Sequence, residues 1–163
     1  CILGFNAGPP VNPSAYNNNI HIFQIPGQVV ILIEMVHDVR VIPTDGRPHL
    51  PGHIRQWKGD SRGHWERETL VVETTNFTDK TSFRGSGPAM HLTERFTRAD
   101  ADTLLYEYSI DDPQSFTAPW SAVIPMLKTE APMFEYACHE GNYSFSSVLS
   151  GARYQERMKA EGR

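Results

Sequence analysis

Apolar residues recur along this chain at alternate positions, in short runs that turn residues interrupt. In "MHLTERFTRA" (90–99), Met90, Leu92, Glu94 and Phe96 share one side, and His91, Thr93, Arg95 and Thr97 the other. That is the pattern of a half-buried strand. Asp100-Ala101-Asp102 turns it into "TLLYEYSID" (103–111), so the two read as a hairpin. "TLVVETTNF" (69–77) is a strand by its β-branched content, and "WSAVIPMLK" (120–128) and "MFEYACHE" (133–140) are two more. "IHIFQIP" (20–26) is short and stops at Pro26-Gly27. "QVVILIEMVHDVRVIP" (28–43) reads as one long strand, bent or bulged midway, because about 16 residues exceed the usual strand length.

The flanks differ from this core. Residues 1–19, "CILGFNAGPPVNPSAYNNN", are rich in Gly, Pro and Asn and read as an extended arm. Residues 54–68 read as a polar loop with two Trp, and "FSSVLSGARYQERMKAEG" as a short C-terminal helix with a charged end. The chain therefore divides into an arm (1–19), an antiparallel β domain (20–143) and a helical tail (144–163). No long helix separates the strands, so parallel crossovers are not expected. The predicted fold is mainly β, an antiparallel up-and-down barrel or half-barrel, with a two-sheet sandwich as the alternative.

Five strands carry a Glu near the middle: Glu34, Glu73, Glu94, Glu107 and Glu135. Alternation does not place them all on one side. Glu107 lies opposite the greasier side formed by Leu104, Tyr106, Tyr108 and Ile110, and so faces outward. Glu73, Glu107 and Glu135 are read as surface residues paired across strands with Arg or Lys. Glu34 and Glu94 fall on mostly apolar sides, where a carboxylate needs a partner or a chemical task. On a regular strand Arg40 is the nearest same-side cation for Glu34, and His37 points the other way, with Ile33 and Met35. His37 is the candidate general acid or base, since its ordinary pKa lies near working pH. Arg40 and Arg95 are candidates for holding an anionic group. Trp57, Trp65 and Arg62, in the polar loop, could cover a barrel mouth and stack on a ligand.

Charge and composition narrow the choice. A net charge of −4 over 163 residues argues against non-specific nucleic-acid binding. No apolar run approaches the roughly 18 residues of a membrane span. His49, His53, Asp45 and His64 lack the tight spacing of a metal motif, so neither metal nor cofactor is expected. Cys1 and Cys138 allow one disulfide in an oxidising compartment, or two thiols in a reducing one. A Cys at position 1 is also where a bacterial lipoprotein would carry its lipid.

"VVILIEMVHDVRVIPTDGRPHLP", "IRQWKGDSRGHWERETLVVETTNFTDKTSFRG", "HLTERFTRADADTLLYEYSIDDP" and "FEYACHEGNYS" together resemble a group of exported bacterial proteins frequent in acidobacteria and related soil bacteria. The resemblance spans roughly residues 1–155. It implies a secreted or periplasmic location, with it a Cys1–Cys138 disulfide, and a further segment before Cys1. It implies no reaction. One departure is "WERETL" where the group reads "WEGDTL", which puts Arg67 at a turn position that a tight turn would give to Gly. "RGHWERETLVVE" also resembles the start of a lipocalin-like barrel, which bears on fold alone.

Two functions follow as expectations. The first is an exported β domain that binds a small apolar or amphipathic ligand, or that serves as an assembly subunit, homo-oligomeric or larger, engaged through residues 1–19. The second is a metal-independent acid–base enzyme (lyase, isomerase or hydrolase) using His37 with Glu34 or Glu94.

Overall fold

The structure, a computed structural model, describes residues 3–80, 83–141 and 143–162. The described residues form eight strands in two antiparallel sheets, one short 3₁₀ turn and one α-helix. The small sheet has the order β1 (Ile20–Ile25), β2 (Gln28–Ile33), β3 (Asp38–Pro43). The large sheet has the order β4 (Asp60–Glu66), β5 (Thr69–Thr75), β6 (His91–Arg98), β7 (Thr103–Asp111), β8 (Trp120–Leu127). Every strand reverses its predecessor within its sheet, which is the up-and-down path that the alternation and turn signals predicted. The sheets do not close into one barrel. They share a core, an arrangement that fits the half-barrel or the two-sheet alternative, with two seams, one between β3 and β4 and one between β1 and β8.

Three of the predicted segments are corrected. Residues 28–43 form a hairpin, not one long strand, with Ile33 opposite Asp38. Glu34 takes helical dihedrals, Met35–His37 makes a single 3₁₀ turn, and Val36 and His37 have φ of 53° and 45°. The charges in this apolar run mark a reversal. Residues 133–140 are not a strand, and the polar loop at 54–68 contains β4. β4 escapes a hydrophobicity pattern because its inward positions include Ser61 and Gly63. A Cβ at Gly63 would stand 2.9 Å from Ile42 Cγ2 and 3.1 Å from Thr44 Cγ2, so the missing side chain lets β3 approach β4 at the seam.

The inward faces meet in one cluster. Val29, Ile31, Ile33 and Ile42 come from the small sheet, and Leu70, Val72, Leu92, Phe96, Tyr106 and Ile110 from the large one. The arm belongs to this core, since Ala7 and Val11 are buried in it. Between Asn6 and Val11 the arm packs against the chain's own sheets. Cys1 lies outside the described residues, and the Cys1–Cys138 pairing with it.

β4 and β5 join through a tight turn in which Arg67 has φ of 56°. The turn forms despite the missing glycine, at the strain cost of a left-handed residue. Arg67→Gly is therefore expected to raise unfolding stability by about 1 kcal/mol in urea titrations, with no change in the denaturant slope. The tail forms α1 (Ser144–Ala160), which buries none of its described residues. No helix among the described residues is long and apolar enough to cross a membrane.

Candidate functional site

Glu94 sits at the middle of β6 with no exposed surface, and alternation placed it on the inward side correctly. Its partner is Arg40 of β3, not the Glu34–Arg40 pairing that a single long strand implied. Arg40 Nη1 donates to Glu94 Oε1 at 2.9 Å and Nη2 to Oε2 at 2.5 Å, a two-pronged contact across the sheets. Arg40 Nε and Nη2 also donate to Ser61 Oγ of β4, at 3.1 and 2.9 Å, and Nη2 to Thr74 Oγ1 of β5 at 2.8 Å. From the other side Tyr106 Oη of β7 donates to Glu94 Oε1 at 2.7 Å. The Val11 backbone N–H of the arm donates to Tyr106 Oη at 3.0 Å. Burial, reinforced by the adjacent Glu94 charge, pushes the Tyr106 hydroxyl well above its ordinary pKa, so it stays a neutral donor.

This network ties the arm, β3, β4, β5, β6 and β7 together where no strand pairing joins β3 to β4. Both Glu94 oxygens are engaged, and all three Arg40 nitrogens donate, Nε and Nη1 to one acceptor each and Nη2 to three. A buried carboxylate that accepts three hydrogen bonds in this way is taken up by holding the sheets and the arm together.

Glu34 is buried as well and holds backbone. Its Oε2 accepts from Asn19 N at 3.2 Å and its Oε1 from Phe134 N at 2.9 Å, while its own N–H donates to Asn19 O at 2.9 Å. It thus fastens the end of the arm and the segment after β8 to the β2–β3 turn. His37 follows in the same turn and is exposed. The candidate trio of His37, Glu34 and Glu94 is therefore divided among a surface turn, a backbone clamp and an inter-sheet ion pair.

Two concave regions adjoin the sheets. The larger, about 1350 Å³, lies in the open seam between β1 and β8. Ile20 and Ile22 form one wall, Leu104, Ile124 and Met126 the other, and Asn12 and Asn17–Asn19 of the arm rim it. The smaller, about 650 Å³, is a groove along β3 and residues 55–62. Of the predicted ligand-binding residues, Trp65 lines the seam cleft, and Arg40, Trp57 and Arg62 line the groove. Arg95 lines neither, pairing instead with Glu66 on the outer face at 2.7 Å. In the groove Arg40 faces Glu94, Lys58 faces Asp38 and Arg62 Nη1 meets Asp60 Oδ1 at 2.6 Å, so each of these cations has its carboxylate. Glu34, His37 and Glu94 line neither region.

No protein family, curated protein or solved structure matches this chain. The site rests on its own geometry. His49 Nδ1 meets Asp60 Oδ2 at 3.0 Å, Asp45 pairs with Arg47 and His64 with Glu66, so these three loop residues go to separate partners. Sequence reading missed the seam cleft. Its walls come from β1 and β8, which are far apart in the chain, and its signal was the bland apolar alternation of "IHI" and "VIPM".

Proposed function

We propose that this chain is an exported β domain that holds a small amphipathic ligand in the seam between β1 and β8. The observation that supports this reading is the cleft itself, with apolar walls from Ile20, Ile22, Leu104, Ile124 and Met126 under a rim of asparagines. The lining also carries Glu68, Arg98, Asp100, Asp102 and Lys128, so such a cleft takes an apolar body between the walls and a polar head at its edge. The buried charges support the same reading, because the Arg40–Glu94–Tyr106 network is fully engaged in holding the sheets and the arm. An acid–base enzyme would need His37 and a carboxylate to share a cavity, which their placement does not provide. Export with a Cys1–Cys138 disulfide, and kinship with the exported bacterial group, are part of the same proposal.

Nile red, a neutral apolar fluorophore, tests it. The native chain is expected to give a saturable emission rise, reversed by octyl glucoside below its micelle concentration. Met126→Trp, which fills the cleft from the β8 wall, is expected to weaken binding at least about tenfold. A linear, unsaturable rise, or equal binding by Met126→Trp, would remove the seam as the site.

A further inference from the structure

The two sheets treat water differently on their outer faces. The large sheet presents polar rows, such as Glu73, Thr93, Ser109 and Ser121 side by side. The small sheet does the reverse. Its register sets Phe23 beside Val30 and Val41, with His21, Leu32 and Val39 in the next row and Ile25, Gln28 and Pro43 in the row beyond, His21 stacking on Phe23. Phe23, Ile25, Val39 and Val41 are all 42% exposed or more. Exposed Trp57 extends this patch, since Val39, Val41 and Trp57 line one groove.

The second unpartnered face is on α1. Phe145, Val148, Leu149 and Ala152 follow the i, i+3, i+4, i+7 spacing and form one stripe, with Ser147, Ser150 and Arg157 on the other side. Phe145 and Val148 are 71% and 68% exposed. Four serines and Gly151 make this a poor helix by propensity, and a helix of this length that buries nothing is marginal in water. The stripe needs a surface.

We propose that α1 of one copy packs across the outer face of β1–β3 of a second copy, and reciprocally, giving a two-fold dimer. The sizes agree. Residues 145–152 rise about 10 Å along the helix, and three strands span about 10 Å. Within residues 145–152 the stripe carries no carboxylate or ammonium group, Glu156 and Lys159 continuing it one to two turns further on, and the facing rows of the sheet carry none. From the exposures of these residues, one contact removes roughly 650 Å² of apolar surface from water, and two reciprocal contacts about 1,300 Å², which is the range of a stable dimer. The chain's own α1 does not cover its sheet, since it buries none of its described residues.

Sedimentation velocity on the full chain tests this. A dimer is expected at about 100 µM. Val41→Asp on the sheet and Phe145→Asp on the helix are each expected to raise the dimer dissociation constant about a hundredfold, because each substitution falls in both contacts. Mixing the two variants restores one intact helix–sheet contact and is expected to yield a heterodimer of intermediate affinity. Both positions are exposed, so far-UV circular dichroism and melting should match the native chain; Val39→Lys replaces Val41→Asp if that variant misfolds. A native monomer at this concentration, a dimer that survives both substitutions, or no heterodimer on mixing would each overturn the proposal. A monomer whose α1 amides exchange slowly would place the helix on its own sheet instead.

Discussion

Arg40→Met is expected to destabilise the domain by about 3–5 kcal/mol, the largest loss of any single change considered for this protein. The physical cause is the charge left behind. Glu94 has no exposed surface, and without the guanidinium it keeps one donor, the Tyr106 hydroxyl. Ser61 and Thr74 would still bond each other at 3.0 Å, so the cost falls on the carboxylate. The companion result is more diagnostic. Replacing both partners, Arg40→Met with Glu94→Leu, is expected to recover most of the loss, because two apolar chains fill the space without desolvating a charge. Urea unfolding of the native chain, both single variants and the double variant measures the coupling. A catalytic Glu94 would instead tolerate the loss of Arg40 with little change in stability.

Glu34→Ala is expected to cost about 2–4 kcal/mol and to act locally first. Two backbone N–H groups, of Asn19 and Phe134, lose their acceptor at once. The arm's end and the segment following β8 then lose their common anchor, leaving Tyr136 stacked on Tyr16 as a weaker link. Amide exchange at Asn19 and Phe134 is expected to accelerate well before the core of β6 and β7 is affected. Glu34→Gln, which keeps one acceptor oxygen, is expected to lose less than half as much. Equal effects of the two substitutions would mean that the carboxylate's charge, not its hydrogen bonding, is what the turn uses.

These two residues show where the fold could be read from the chain and where it could not. Glu94 and Glu107 lie on regular strands, so counting by twos put one inside and one outside, and the structure agrees. Counting by twos failed between Glu34 and His37, because a helical turn there resets the phase and puts Arg40 on the inner face for a different reason. The pairing of Arg40 with Glu94 spans 54 residues, and no local pattern encodes a contact of that range. Residues 133–140 alternate like a strand, yet Phe134 is 67% exposed and its N–H goes to a side chain, so the pattern there reports a crossing segment. The seam cleft is a product of topology. It exists because β1 and β8 end up as facing edges that do not pair.

Two proposals stand together here: the seam is the ligand site, and the buried charges are structural. Amide chemical-shift mapping during an octyl glucoside titration tests both at once. The expected result is saturable shifts confined to Ile20–Gln24, Leu104, Ile124–Leu127 and the asparagine rim, with Glu34, His37, Arg40 and Glu94 unmoved. Shifts centred on His37 and Arg40, with a silent seam, would contradict it.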